Sequence, residues 1–583
     1  MTSILPGPLI HRGVRILAQI VLICCAISIN AFAQDTTSTV EEAEQPLRLD
    51  GSISLSGNKY SVSGALARRP ATGWTIIGTP TVSFSGVTLP FTIILSDQES
   101  EVRQPFDQIG VSPQYKWITL HLGYRSLTYS KYTLAGIMFL GAGMDLTPSI
   151  FRISAMYGRF QRAVAEDTTN YSIQPAYERL GYAFKLGIGE ENTFVDLIYL
   201  HAKDDSLSLR YPPVKVNLFP QENTILALNT KVQIIKEVSF DAEVASSVLT
   251  RDTRSPLLDS TQVPSFFSSL IDLRTSTSLL LASTAGITVK VPHFRIRLGY
   301  ERVEPDYTSL GAYYYTTDIE NYTIAPGFDL FNNKLRVSGS VGIQNDNVLK
   351  TKLSTTNRLI GSGNISINPS QSFGIDLNYA NYSTQQGSSS PASTLINDST
   401  RVSSIAQSAS VTPRFLFISP TTIQSIVVSG SFQDYTDQNI FTQKYSNSQT
   451  TSGTANYNIT FNQSGLSLGG SILLANTKQT TTSTSLQGIT LNASKTLDEN
   501  RLSLGGSFGY TRSAITPSDS LLQLIGNTTT DTYTQSLSSS YKLSHQGSLS
   551  LTVYATESIS SSATIPKFIE ILATLTYTHN FSF

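Results

Sequence analysis

The chain has 583 residues, of which only 14% are charged while 27 are tyrosine and 26 phenylalanine; an ordinary soluble domain carries about 25% charge. Its 41 basic and 42 acidic residues nearly cancel, which excludes the strong field that captures nucleic acid or anionic lipid. Beyond the first thirty residues no stretch approaches the ~18 consecutive apolar residues of a spanning helix, so the choice narrows to a large exported all-β protein or a transmembrane barrel.

At the start, His11, Arg12 and Arg15 precede an apolar stretch over 16–29, and Ala31-Phe32-Ala33 supplies small residues where a signal peptidase reads. That pattern predicts a secretory signal peptide over 1–33. Leu22 and Ile23 are bulky where a lipoprotein signal needs small residues before Cys24, which argues against lipidation. Both cysteines, Cys24 and Cys25, go with the signal, so the exported chain relies on its core or its membrane instead of disulfides. Without Arg12 and Arg15 the balance is 39 basic to 42 acidic residues, a net charge of about −3.

Residues 34–45 read as a short polar periplasmic lead. N-terminal β segments follow over 46–114. Ile53 and Leu55, then a Gly57-Asn58 turn, then Tyr60 and Val62 predict a hairpin. Val82 and Phe84 with Leu89, Phe91, Ile93 and Leu95 predict another, turning near Gly86. The charged, proline-containing stretch 96–113 interrupts the pattern and reads as an inward-folded segment or a periplasmic connection.

From Tyr115 to Phe583 the alternation becomes regular. Ile118, Leu120, Leu122 and Tyr124 alternate with Thr119, His121 and Gly123, and Phe294, Ile296, Leu298 and Tyr300 alternate with Arg295, Arg297 and Gly299. Apolar residues on one face and small polar ones on the other suit lipid outside and water inside. Tight turns at 189–192, 291–293, 332–333, 368–372, 462–465, 497–500 and 545–547 alternate with long polar connections at 251–274, 302–318, 383–400, 433–450 and 511–531. Tight periplasmic turns and longer outer loops produce that asymmetry in a barrel; a propeller or sandwich has no reason for it. About 22 strands lie beyond Tyr115, and about 24–26 in all if the N-terminal segments join the wall.

The last thirteen residues place Ile571, Ala573, Leu575, Tyr577, His579, Phe581 and Phe583 on one face of a strand. Ending flush on Phe583 resembles the C-terminal signature of bacterial outer-membrane β-barrel proteins, with His579 departing from the usual apolar choice. The resemblance implies a single large antiparallel transmembrane β-barrel in the bacterial outer membrane. Tyr577, Phe581 and Phe583 would then close the wall and dock the barrel-assembly machinery.

Catalytic signals are poor. His121, His201, His293, His545 and His579 show no metal-ligand spacing, and so many serines make a Ser–His neighbour uninformative; no enzyme, cofactor or metal is expected. Lumen charge says more. Inward parity collects Trp117, His121, Arg125, Arg179, Lys185, Asp196, Arg295, Arg297 and Glu301 in the N-terminal half of the barrel, whereas the C-terminal half offers neutral Asn378, Ser467, Ser503, Ser507, Ser550 and Thr552. Either these charges bias solute passage across a polar channel, or they neutralise one another across strands and hold the wall. Tyr124, Tyr300, Tyr379 and Tyr510 near the long loops, with Phe294 and Phe373 near tight turns, read as two interfacial girdles. The leading expectation is a porin-like channel with Arg295 and Arg297 as filter candidates. A structural or export-complex barrel and a loop-bearing surface adhesin remain alternatives, with outer-membrane lipid as the shared environment.

Overall fold

The structure, a computed structural model, describes residues 47–97, 106–167, 173–211, 213, 217–258, 272–388, 401–518, 526–562 and 564–582. The wall comprises 26 antiparallel strands. The first seven are β1 (Arg48–Ser63), β2 (Thr72–Gly78 and Thr81–Phe84), β3 (Val87–Ser96), β4 (Gln108–Val111 and Gln114–Tyr115), β5 (Ile118–Thr128), β6 (Ala135–Leu146) and β7 (Phe151–Gln161). The next seven are β8 (Glu178–Glu190), β9 (Thr193–Asp205), β10 (Glu222–Ile235), β11 (Val238–Thr250), β12 (Thr277–Val291), β13 (Phe294–Val303) and β14 (Ile319–Leu330). Then come β15 (Leu335–Asn345), β16 (Ser354–Ile367), β17 (Phe373–Ser388), β18 (Ser403–Ile418), β19 (Thr422–Asp437) and β20 (Ser448–Phe461). The wall ends with β21 (Leu466–Gln479), β22 (Thr482–Leu497), β23 (Leu502–Pro517), β24 (Thr528–Lys542), β25 (Gly547–Ser560) and β26 (Phe568–Ser582).

Closure comes from β26 lying between β25 and β1, in unbroken register from Asp50↔Ser582 to Ser63↔Ile569. With no free edge among the described strands, ladder donors and acceptors pair inside the wall around its whole circumference, as the bilayer interior demands. Leu197, Leu228, Leu279, Leu298, Ile472 and Leu491 stand exposed on the outer face, where lipid rather than water surrounds them. Cross-strand ring pairs mark both rims of this apolar band. Tyr300–Tyr322 and Tyr510–Tyr533 sit at 5.1 and 5.2 Å near the long connections, and Phe294–Phe328 and Phe373–Phe415 at 5.1 Å near the tight turns.

Two readings from the sequence change. Gly57 and Asn58 do not turn the chain; they lie inside β1, which runs unbroken past them. A two-residue hairpin of that composition needs positive φ at both positions, and neither residue has it. Pairing along the closing seam overrides the local turn chemistry. Removing that false turn restores the alternation of short and long connections from the first strand onward. The stretch 96–113 changes as well: its described part supplies β4, paired with β3 and β5, while residues 98–105 lie outside the described residues. Prolines explain why β2 and β4 are each in two pieces, since Pro80 and Pro113 cannot donate to a ladder. Gly51 (φ +107°) faces the break in β2, where a Cβ would run into the Thr79 carbonyl.

Candidate functional site

Over part of the inner face of β6–β11 the alternation that suits water is suspended. Phe139, Phe160, Ala183, Ile198, Leu200, Ala202, Ile225 and Ala245 all point inward and are fully buried. Two connections cover them. Residues 129–134, between β5 and β6, and residues 304–318, between β13 and β14, fold into the barrel and meet over this apolar floor.

The wall holds each connection by specific polar contacts. Glu243, inward on β11, accepts the backbone N–H of Lys131 at 3.2 Å and of Tyr132 at 2.9 Å. Glu301, inward on β13, accepts the Tyr132 hydroxyl at 2.7 Å, the Lys131 ammonium, and the Asn321 amide at 3.3 Å. On β10, Asn223 accepts the N–H of Leu310 at 3.1 Å and donates to Ser247, whose hydroxyl donates in turn to the Thr308 carbonyl. The connections also bind each other: Tyr307 donates to the Tyr132 carbonyl at 2.7 Å, and Ser309 to that of Thr133 at 2.6 Å. Tyr132, Tyr307 and Tyr315 pack ring on ring at 5.6–6.0 Å. Burial, and for Tyr132 the hydrogen bond to Glu301 as well, pushes the phenols of Tyr132 and Tyr307 far above the usual tyrosine range.

Around these connections the inward charges are mostly matched. Arg179 grips Asp204 with two bonds of 2.7 and 3.0 Å, and Arg152 grips Asp196 at 2.8 and 3.0 Å while its guanidinium lies over the Phe194 ring. Arg297 grips Asp241 at 2.6 and 2.7 Å. His121 bridges Ser112 and Asp145, at 2.9 Å to each. Lys185 lies over the Tyr129 ring at 5.1 Å. Arg125 bonds Thr92 and the Pro90 carbonyl. Trp117 sits in the turn between β4 and β5 and is half exposed. Arg295 is exposed and has no ion-pair partner among the described residues. The arrangement within this group is therefore largely cross-strand neutralisation, with Arg125, Lys185 and Arg295 outside the ion pairs.

The other half of the wall differs. From β15 to β26 and on to β1, inward hydroxyls and amides bond sideways: Asn364–Asn378 at 2.6 Å, Ser431–Ser452 at 2.6 Å, Ser507–Ser536 at 2.7 Å and Ser54–Thr578 at 2.9 Å. Asn378, Tyr382, Thr552 and Tyr554 face inward and are exposed, the two tyrosines by 43% and 45%. Nothing among the described residues covers them as the two connections cover Leu200.

In the terminal strand Tyr577 faces outward, with its hydroxyl 3.2 Å from His579, and the Phe581 ring packs edge-on against the His579 ring at 4.9 Å. Phe583 lies outside the described residues. Among the described residues no group of His, Cys, Asp and Glu could hold a metal.

Sequence reasoning did not find the inward connections. The run Tyr313-Tyr314-Tyr315 was a weak signal, because only Tyr315 packs into the cluster while Tyr313 and Tyr314 stay exposed.

No family model matches the chain, and no curated protein matches it. Among solved structures it is similar to the FrpB iron transporter from Neisseria meningitidis, at 8% identity and a TM-score of 0.38, over 91% of this chain and 81% of that one. It is also similar to OccK8 (OprE) of Pseudomonas aeruginosa, at 9% identity and a TM-score of 0.28, over 69% and 98%. OccAB2 of Acinetobacter baumannii stands at 11% and 0.28, over 67% and 98%.

Proposed function

We propose that this chain is a bacterial outer-membrane channel whose aqueous path runs along the hydroxyl-lined half of the lumen. The supporting observation is the asymmetry of the inner wall. Inward apolar side chains of β6–β11 are sealed beneath two connections, while Asn378 and Tyr382 of β17 and Thr552 and Tyr554 of β25 are open and polar. Neutral hydroxyls and amides exchange hydrogen bonds with a hydrated solute without holding it, as passage requires. The exported chain reaches the outer membrane through its N-terminal signal and is inserted by the assembly machinery through β26.

The experiment is conductance and liposome swelling with the purified mature protein. Step-like currents in planar bilayers and swelling in neutral sugars are the expected results. A folded, inserted protein that gives neither contradicts the channel.

A further inference from the structure

We infer that Lys290 and Arg295 form a recognition site for small anions, carboxylates or phosphates, at the tight-turn mouth of the lumen; as a transport function this rests on the channel reading above, but the site itself does not. Lys290, near the end of β12, and Arg295, near the start of β13, are direct cross-strand partners. Both lie at inward positions of their strands and both are exposed.

Like charges directly opposite each other on one face of a sheet repel, and folds normally avoid or offset that arrangement. Here no direct ion pair supplies that offset. Neither side chain has an ion pair or a hydrogen bond among the described residues. Asp241, Asp196 and Asp329 are committed to Arg297, Arg152 and Arg336, and Glu237, whose backbone carbonyl accepts the Lys290 N–H at 2.7 Å, forms no ion pair with either cation. Arg152, Arg179 and Arg297 each carry an acid, and this pair does not.

On the far side of Arg295 its partner on β14 is Gly327, where an added Cβ would meet nothing closer than 3.9 Å. The two cations thus border an open notch. A guanidinium presents a planar fork suited to two oxygens of a carboxylate or phosphate, and an ammonium adds a point charge beside it. An anion held between them removes the repulsion that the bare wall leaves standing. Lys290 was not singled out from sequence, because only the register places it opposite Arg295.

Titration calorimetry of the detergent-solubilised full barrel with citrate and, separately, inorganic phosphate tests the site and distinguishes the two chemistries. Wild type is expected to bind at least one of them. Binding should weaken about tenfold or more in K290Q/R295Q, and stay unchanged in K542Q on the remote strand β24. Equal binding by wild type and the double variant, or no binding by wild type, overturns the site. In bilayers under a KCl gradient, the chloride-to-potassium permeability ratio should fall several-fold in K290Q/R295Q and invert in K290E/R295E. An unchanged reversal potential at normal conductance also overturns it. A bilayer without current speaks against the channel alone, because the titration still decides the site.

Discussion

Glu243 fixes residues 129–134 inside the barrel with a single carboxylate, because its two oxygens take two consecutive backbone N–H groups. Glu243→Ala strands both donors, at a cost of about 1–3 kcal/mol for each that stays dry. Trypsin cleavage after Lys131 should therefore quicken in this variant while the wall stays folded; an unchanged cleavage rate would count against the anchoring role. Arg297 and Arg295 make a second contrast. Arg297→Glu sets a carboxylate against Asp241 and should lower the temperature at which the folded barrel melts, whereas Arg295→Gln, which breaks no ion pair and relieves its repulsion with Lys290, should not lower it. The Arg297 pair is partly exposed, so solvent screening keeps its own worth to on the order of 1 kcal/mol, and repulsion in the reversed pair adds to the loss. Equal melting of the two variants would contradict the pairing. The buried phenols add a pH dependence. Folded Tyr132 and Tyr307 titrate above their unfolded value, so their contribution is complete below about pH 10 and fades as pH climbs toward the folded values. Spectrophotometric titration should show these phenols ionising later than the exposed tyrosines, and simultaneous ionisation of all tyrosines would contradict their burial.

The closing seam is the element on which the barrel depends. Thr576 of β26 faces Ser56 on one side and Ser550 on the other, and a proline there removes a ladder donor in a strand paired on both sides, where proline is not tolerated. Thr576→Pro should abolish the folded, detergent-resistant form, and normal assembly of that variant would contradict the seam. Much of this architecture was legible in the chain, because period-two alternation and segregated connection lengths follow directly from a wall between lipid and water. The Gly57-Asn58 pair misled because turn chemistry is local while its competitor, the register with β26, lies more than 500 residues away in sequence. The inward connections were hidden for the same reason. Tyr129-Ser130-Lys131-Tyr132-Thr133-Leu134 reads as an ordinary polar link, and its acceptor Glu243 lies over 100 residues further on. The matched charges were half visible: Arg179, Asp196 and Arg297 stood out, but Asp204, Arg152 and Asp241 are assigned to them only by register.

At the scale of the whole molecule, one closed sheet encloses two unlike interiors, one packed and one wet. Substituted cysteines read this difference directly, since the only native ones, Cys24 and Cys25, lie in the segment expected to be removed on export. A water-soluble, lipid-impermeant maleimide, applied to single-cysteine variants inserted in membranes, is the decisive measurement. Asn378→Cys and Thr552→Cys should label rapidly, Ala183→Cys and Ala245→Cys should resist until the protein is denatured, and Leu491→Cys should be shielded by lipid. Equal labelling at Ala183 and Asn378, or rapid labelling at Leu491, would contradict the half-filled lumen.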